Sequence, residues 1–274
     1  MAMMKIRPVE TLFAALTIAV PNIVAAQTTT AAQPSASASS SPAAAPAIEP
    51  EALAAMDRMS AALRAMPAFV LEADVTNEEV LETGQKLQFS GTVKVEARKP
   101  TGFRIDADAD TVHRQFFYDG KSLTVFAPRL GYYASFPAPP SIGQTMDKAK
   151  TQFGIELPLA DLFVWDSDQT IRARIKSGYA LRPETIGDRS CFHYAFRQER
   201  VDWQIWIDEA EPAMPCKLVI TNTEDPSMPQ YTAVLHWGSR AVPPATDFTF
   251  VPPANAHEIP IVDMSKATAE GASK

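Results

Sequence analysis

The residues best suited to chemistry lie in one stretch, residues 191–208, which reads CFHYAFRQERVDWQIWID. Cys191 and His193 have the types of a nucleophile and a general base, and a hydrolase using this pair needs the two groups within hydrogen-bond reach. On a strand both side chains point to the same face, but two residues of rise separate them by about 7 Å. We therefore predict no catalytic residues and keep a hydrolase using His193/Cys191 only as an alternative.

An antiparallel hairpin explains nearly every residue of this stretch. If Glu199 and Arg200 are the central turn residues, the numbers of paired residues add up to 399. Arg197 then faces Asp202 on one side, and a slip by one residue would lose the match. The opposite side becomes an apolar wall, formed by Phe192, Tyr194, Phe196, Trp203 and Ile205. His193 falls on the polar side, where we predict a surface histidine.

The two cysteines, Cys191 and Cys216, are predicted to be free, buried or half-buried thiols. In a meander they flank the strand of Trp203 from opposite sides, which separates them by roughly 9–10 Å across two strand spacings. A disulfide needs Cα atoms within about 7 Å, so it is kept as an alternative that an exported protein would permit.

No metal site and no cofactor is predicted. The acidic run DADADT begins at Asp106, but a calcium loop of the EF-hand type needs Gly at position 6 and Glu at position 12. Thr111 and Phe117 stand there instead. Metal-ligand spacing is also lacking among the four histidines, which are His113, His193, His236 and His257.

The elements around the hairpin follow from hydrophobic periodicity. Residues 51–66 form an amphipathic helix whose apolar stripe includes Met59. From residue 68 the period changes to two, and the strand at 102–110 places Phe103 on its apolar side. Asp119-Gly120 between two apolar runs predicts a hairpin with a type I′ turn. Further strands are predicted near 68–76, 79–82, 86–98, 190–198, 201–208, 215–222 and 230–237, and two short helices cover 145–154 and 157–165.

This order indicates an α+β fold, because short connections between strands exclude parallel crossovers. We predict one large curved antiparallel sheet, with the helices covering its concave apolar face. The structured region is a single domain over residues 51–262. The residues expected to line a ligand on that face are Phe192, Tyr194, Phe196, Trp203, Ile205, Phe103 and Met59.

The N-terminus predicts export. Residues 1–26 have a positive start, an apolar stretch at 11–20 and a cleavage site after Ala26, which is typical of a signal peptide. Residues 27–50 are rich in Ala, Ser and Pro and are predicted to be a disordered linker, and residues 263–274 a disordered tail. We expect a periplasmic protein without a transmembrane segment in its mature chain.

Charge excludes several classes of partner. The whole chain carries a formal charge of −7, and removal of Lys5, Arg7 and Glu10 with the signal leaves −8. An acidic chain without a basic cluster argues against binding to nucleic acid or to an anionic membrane. The sequence does not indicate an oligomeric state.

Several segments resemble the DUF2092 family of predicted periplasmic proteins, whose fold is similar to that of the LolA and LolB lipoprotein carriers. The segments are KVEARKPTGFRIDADAD, FFYDGKSLTVFAPRLGYY, GIELPLADLF, CFHYAFRQERVDWQIWID and PCKLVIT. The resemblance covers most of residues 51–262. It implies an unclosed half-barrel whose concave apolar face suits an acyl chain or another apolar segment.

The leading functional hypothesis is a non-enzymatic periplasmic module that binds an apolar ligand (a lipid, an acyl chain or a lipoprotein) in the half-barrel. An aromatic inner wall without a catalytic motif supports it, since ligand pockets are mostly apolar with few polar groups. The alternative is an envelope interaction or scaffold domain of the same fold with a filled core.

Overall fold

The computed structural model describes residues 48–167, 170–238 and 242–263. The predicted signal peptide, the predicted linker up to residue 47 and the predicted tail beyond Asp263 lie outside these residues. The last part of the predicted linker is ordered, because the Glu49 amide donates to the Gly178 carbonyl at 2.9 Å and Pro50 begins the first helix.

The described residues form one sheet of twelve strands. The strands are β1 (Ala68–Val80), β2 (Lys86–Arg98), β3 (Gly102–Ala109), β4 (His113–Tyr118), β5 (Ser122–Ala127), β6 (Tyr132–Pro137), β7 (Ser177–Ile186), β8 (Arg189–Arg197), β9 (Val201–Asp208), β10 (Pro215–Asn222), β11 (Gln230–Trp237) and β12 (His257–Glu258). Their spatial order is β12-β6-β5-β4-β3-β2-β1-β11-β10-β9-β8-β7. The sheet thus consists of two meanders, β1–β6 and β7–β11, joined where β1 pairs with β11.

Four helices accompany the sheet in the described chain: α1 (Pro50–Ala65), α2 (Ile142–Phe153), α3 (Asp161–Ser167) and α4 (Thr170–Arg174). α1 buries its predicted stripe, with Met59 fully buried. α2 begins where the Ser141 hydroxyl accepts from the Gln144 amide and ends at Gly154, whose φ of 64° suits glycine. The apolar residues of α1, α2 and α3 share one core with one face of the sheet. The predicted α+β half-barrel with helices over its concave face is confirmed.

The predicted hairpin register of residues 191–208 is confirmed in full. Cys191 pairs with Asp208, and Phe196 pairs with Trp203. Arg197 binds Asp202 through two hydrogen bonds of 2.7 and 2.6 Å. Neither central turn residue has a positive φ, so the turn lacks the primed geometry that most two-residue hairpins use.

Other local predictions need correction. The hairpin after β4 exists, but its central residues are Gly120 and Lys121 rather than Asp119 and Gly120, because Tyr118 pairs with Leu123. The positive φ of Gly120, 89°, at the first central position is typical of a type II′ turn. Strand β7 was not predicted, since its second half is largely exposed and contains Pro183. β12 pairs with β6 in parallel, unlike the other neighbours.

The prediction of free thiols is wrong, because Cys191 and Cys216 form a disulfide with a Cα–Cα distance of 6.6 Å. Pro215 pairs with Ile207 and Lys217 with Trp206, so Cys216 is the extra residue of a β-bulge. A bulge bends and twists its strand. The spacing of a flat sheet therefore does not apply at this point.

The outer face of the N-terminal meander is covered by the C-terminal segment. A 3₁₀ helix (Ala245–Phe248) places Phe248 over Gly102, where an added Cβ would lie 2.6 Å from the ring. Phe250 contacts the rings of Phe117 and Phe126, with centroids 5.2 and 5.3 Å away. Glycine at 102 is therefore required by the close approach of the Phe248 ring.

Candidate functional site: an apolar cavity beneath helix α3

All seven residues predicted to line a ligand belong to the concave side and to one hydrophobic core. Six are closely packed, with exposures from 0 to 5%, and Phe192 is partly buried. Their contacts are tight: the Phe196 and Trp203 rings stack with centroids 4.2 Å apart. The concave face is thus filled by protein over most of its area.

A cavity beneath α3 opens onto this face, and of the seven predicted residues only Trp203 lines it. It has a volume of about 170 Å³. Its lining residues are Asp161, Trp165, Arg174, Gln198, Val201, Trp203, Leu218 and Ile220. Five of these are apolar, and the polar ones come from α3, α4 and the β8–β9 turn.

The alternation of the strands explains how the apolar wall forms. Ile220 pairs with Trp203 and Leu218 with Ile205, so beyond the bulge the odd residues of β9 and the even residues of β10 face the helices. α3 supplies the opposite wall, where the Trp165 ring lies 5.8 Å from the Trp203 ring. Asp161, at the start of α3, reaches the same cavity.

Asp161 is a half-buried acid at an apolar wall. Desolvation raises the pKa of its carboxyl group, Lys150 partly opposes the shift, and Glu156 adds to it. Lys150 itself pairs with Glu156 at 3.1 Å. The protonated form of Asp161 is therefore favoured more than in an exposed aspartate.

Tyr231 is a second unusual polar group on the concave face. Its hydroxyl oxygen is buried and has no hydrogen-bond partner among the described residues. Desolvation and the nearby charge of Asp161 raise the pKa of this hydroxyl. The phenol therefore stays protonated, and it can donate to a ligand. Sequence reasoning missed Asp161 and Tyr231, since an isolated Asp and Tyr give no motif.

The outer face near the disulfide is less polar than predicted. Cys191, Trp206, Cys216 and Val219 form a second buried cluster. His193 stacks on Trp206 with a centroid distance of 3.9 Å, and its ring nitrogens lie 3.3 Å from Glu184 and 3.0 Å from Gln204. His193 is thus a largely buried histidine of a side-chain network rather than a surface one.

This network has consequences for the hydrolase alternative. The Cys191 sulfur is bonded to Cys216, so it cannot serve as a thiolate nucleophile. The Trp206 indole donates to Glu184 at 2.9 Å, and hydrogen bonding by Trp206 lowers the pKa of the Glu184 carboxyl group. Within the described chain, no group of three or more His, Cys, Asp or Glu is arranged to hold a metal ion.

The fold and site define a single-sheet half-barrel with a small apolar cavity under a short helix. The chain belongs to the DUF2092 family of predicted periplasmic proteins, whose profile matches residues 52–262. The predicted family and periplasmic location are thereby confirmed, and cleavage after Ala26 stays a prediction. No helix in the described ranges is long and apolar enough to cross a membrane.

Solved structures with a similar course of the chain come from several bacteria. LprF from Mycobacterium bovis has a TM-score of 0.43 and 16% identity over 77% of this chain and 100% of its own. The Mycobacterium tuberculosis lipoprotein LppX has a TM-score of 0.43 and 12% sequence identity, and the match covers 69% of this chain and 96% of LppX. A LolA superfamily protein from Nitrosomonas europaea has a TM-score of 0.35 and 10% sequence identity, and the match covers 73% of this chain and 97% of that protein. No curated protein sequence matches the chain.

Proposed function

We propose that the protein is a non-enzymatic periplasmic module that binds an apolar ligand, namely a lipid or a lipoprotein acyl chain, in the half-barrel. The cavity beneath α3 carries this proposal, because it joins the outside to the aromatic inner wall at Trp203. Its two indole rings and three aliphatic side chains offer an apolar surface that would gain from covering by an alkyl chain.

The size of the cavity implies that α3 moves when a ligand binds. At about 170 Å³ it is smaller than the roughly 300–1,000 Å³ of pockets that enclose a small molecule. α3 has seven residues and α4 five, so little helix must be displaced. α3 thus acts as a lid, and the remaining predicted residues, which include Ile205 and Phe196, line the path that opens behind Trp203.

A filled core favours the second candidate, an envelope interaction or scaffold domain. Met59, Phe103 and Ile205 are fully buried, and their packing requires no ligand. In that case the cavity would be a packing defect of the core, and apolar molecules would not bind in it.

Filling the cavity separates the two candidates. We expect the full-length mature protein to bind the neutral fluorescent probe N-phenyl-1-naphthylamine, and Val201→Phe to weaken the binding at least tenfold. Val201 lines the cavity and is only partly buried, so a larger ring there replaces ligand rather than core. Val251→Phe is the matched control, because Val251 is 79% exposed and lies outside the cavity lining.

Native mass spectrometry with lipid extraction of protein isolated from the periplasm gives an independent measurement. We expect a co-purified lipid in the wild type and in Val251→Phe, and its loss in Val201→Phe. An empty wild-type protein that also fails to bind the probe would contradict the proposal and favour the scaffold.

A further inference from the structure

One buried polar group near the cavity lacks a hydrogen-bond partner among the described residues. It is the Tyr231 hydroxyl, and a buried polar group without a hydrogen bond lowers the stability of the fold. Asp161 lines the cavity with a half-buried carboxyl group, which can accept a hydrogen bond. Natural interiors rarely keep an unpaired buried group without a reason, which points to a molecule that supplies the missing bond.

The sheet register places these groups together. Tyr231 pairs with Ile220, which in turn pairs with Trp203, so the three side chains form one row across the concave face. Ile220 and Trp203 line the cavity, and Tyr231 is the next residue of the row. Asp161 faces this row from α3, and its charge acts on the Tyr231 hydroxyl.

We propose that the cavity binds an uncharged amphiphile through its hydroxyl group, which accepts a hydrogen bond from Tyr231 and donates one to Asp161. The alkyl chain lies along the apolar lining, against Trp203 and Ile220. This inference rests on the proposed function, and it adds the chemical class of the ligand, a long-chain alcohol or a lipid with a free hydroxyl.

Charge argues against an anionic headgroup at this position. A carboxylate or phosphate beside Asp161 would place two like charges at a desolvated wall, which is costly. Arg174 and Gln198 also line the cavity, but Arg174 is exposed to solvent. An anion attracted by Arg174 would sit at the rim and leave the Tyr231 hydroxyl unpaired.

Competition against the bound probe tests the ligand class on the full-length mature protein. We expect 1-dodecanol to displace N-phenyl-1-naphthylamine at a concentration about tenfold lower than dodecanoate, as one satisfied buried group implies. Tyr231→Phe and Asp161→Asn should each bring the two displacing concentrations, measured relative to that variant's own probe affinity, to within about twofold of each other. Tyr132→Phe and Asp147→Asn are the matched controls, because both residues are exposed and neither lines the cavity.

The thermal stability of Tyr231→Phe separates a binding role from a structural one. Loss of an unpaired hydroxyl should leave the unliganded protein as stable as the wild type or more stable, and should reduce only the stabilisation by dodecanol. Probe binding with equal displacement by dodecanol and dodecanoate, or a preference that survives both substitutions, would overturn this inference and leave the proposed function intact. Absence of any probe binding would overturn both.

Discussion

The two meanders of the sheet protect their outer faces by different means. On the N-terminal meander, a chain segment with Phe248 and Phe250 lies over β3–β6. On the C-terminal meander, a disulfide crosses β9 and a network around Trp206 surrounds it. One face of an antiparallel sheet can be solvated, but here aromatic rings shield part of that face in one half, and a disulfide with its buried cluster does so in the other.

The difference extends to the concave side. α2 packs against the N-terminal meander, where the Phe136 and Phe153 rings lie 4.3 Å apart. The C-terminal meander faces the short helix α3 and contains the cavity. If α3 moves as proposed, the disulfide and the Trp206 network on the outer face would help the wall behind it to keep its shape.

Removal of the aromatic cover should have the largest effect. Phe248→Ala is expected to lower the free energy of unfolding by about 3–5 kcal/mol, because the ring is almost fully buried. Hydrogen exchange should rise first in β3–β5 and not in β8–β10. Equal increases in both halves would show that the two outer faces are not protected independently.

Loss of the disulfide should have a smaller effect located in the other half. Replacing both cysteines by alanine opens a loop with a sequence separation of 25 residues, which predicts a decrease of about 3.5 kcal/mol in the free energy of unfolding. Urea unfolding with and without reductant measures it, and the double variant must be insensitive to reductant. Exchange should rise in β8–β10, and probe binding should weaken more than in Phe248→Ala. Unchanged probe binding would show that the disulfide does not support the shape of the cavity.

Two acids on opposite faces of the C-terminal meander should respond to pH with opposite signs. The pKa of the Asp161 carboxyl group is raised in the folded protein above its unfolded value of 3.8. Between these two pKa values the folded protein binds more protons than the unfolded chain, so the stability of the protein falls as the pH rises through this interval. Asp161→Asn should therefore stabilise the unliganded protein at pH 7. Such a cost at neutral pH fits a residue kept for binding.

Glu184 should show the smaller, reverse effect. Its pKa is lowered through the Trp206 hydrogen bond, so its contribution is present above the usual value of 4.5 and is lost as pH falls through the folded pKa. Glu184→Gln should reduce stability at pH 7 and flatten the decline in acid. Thermal unfolding at stepped pH measures both variants, and a decline in Glu184→Gln as steep as in the wild type would assign the acid sensitivity elsewhere.

The local sequence pattern was sufficient to predict an element where neighbouring residues all indicated the same structure. Side-chain alternation and the Arg197–Asp202 pair fixed the register of β8 and β9, since a one-residue slip would have exposed the aromatic face. The stripe on α1 and the Gly154 stop of α2 were equally local. β7 escaped prediction because Pro183 interrupts it and its exposed half has no alternation to read.

Sequence by itself determined the class of fold, the inner wall and its aromatic residues, because alternation and turn chemistry act over a few neighbours. Only the tertiary structure decided the disulfide, since the bulge at Cys216 changes a distance that spans three strands. It also decided that the wall is mostly filled, and that Asp161 lies near enough to Tyr231 for its charge to act on the Tyr231 hydroxyl. This arrangement brings together α3, β9 and β11, and no short segment of the chain contains all three.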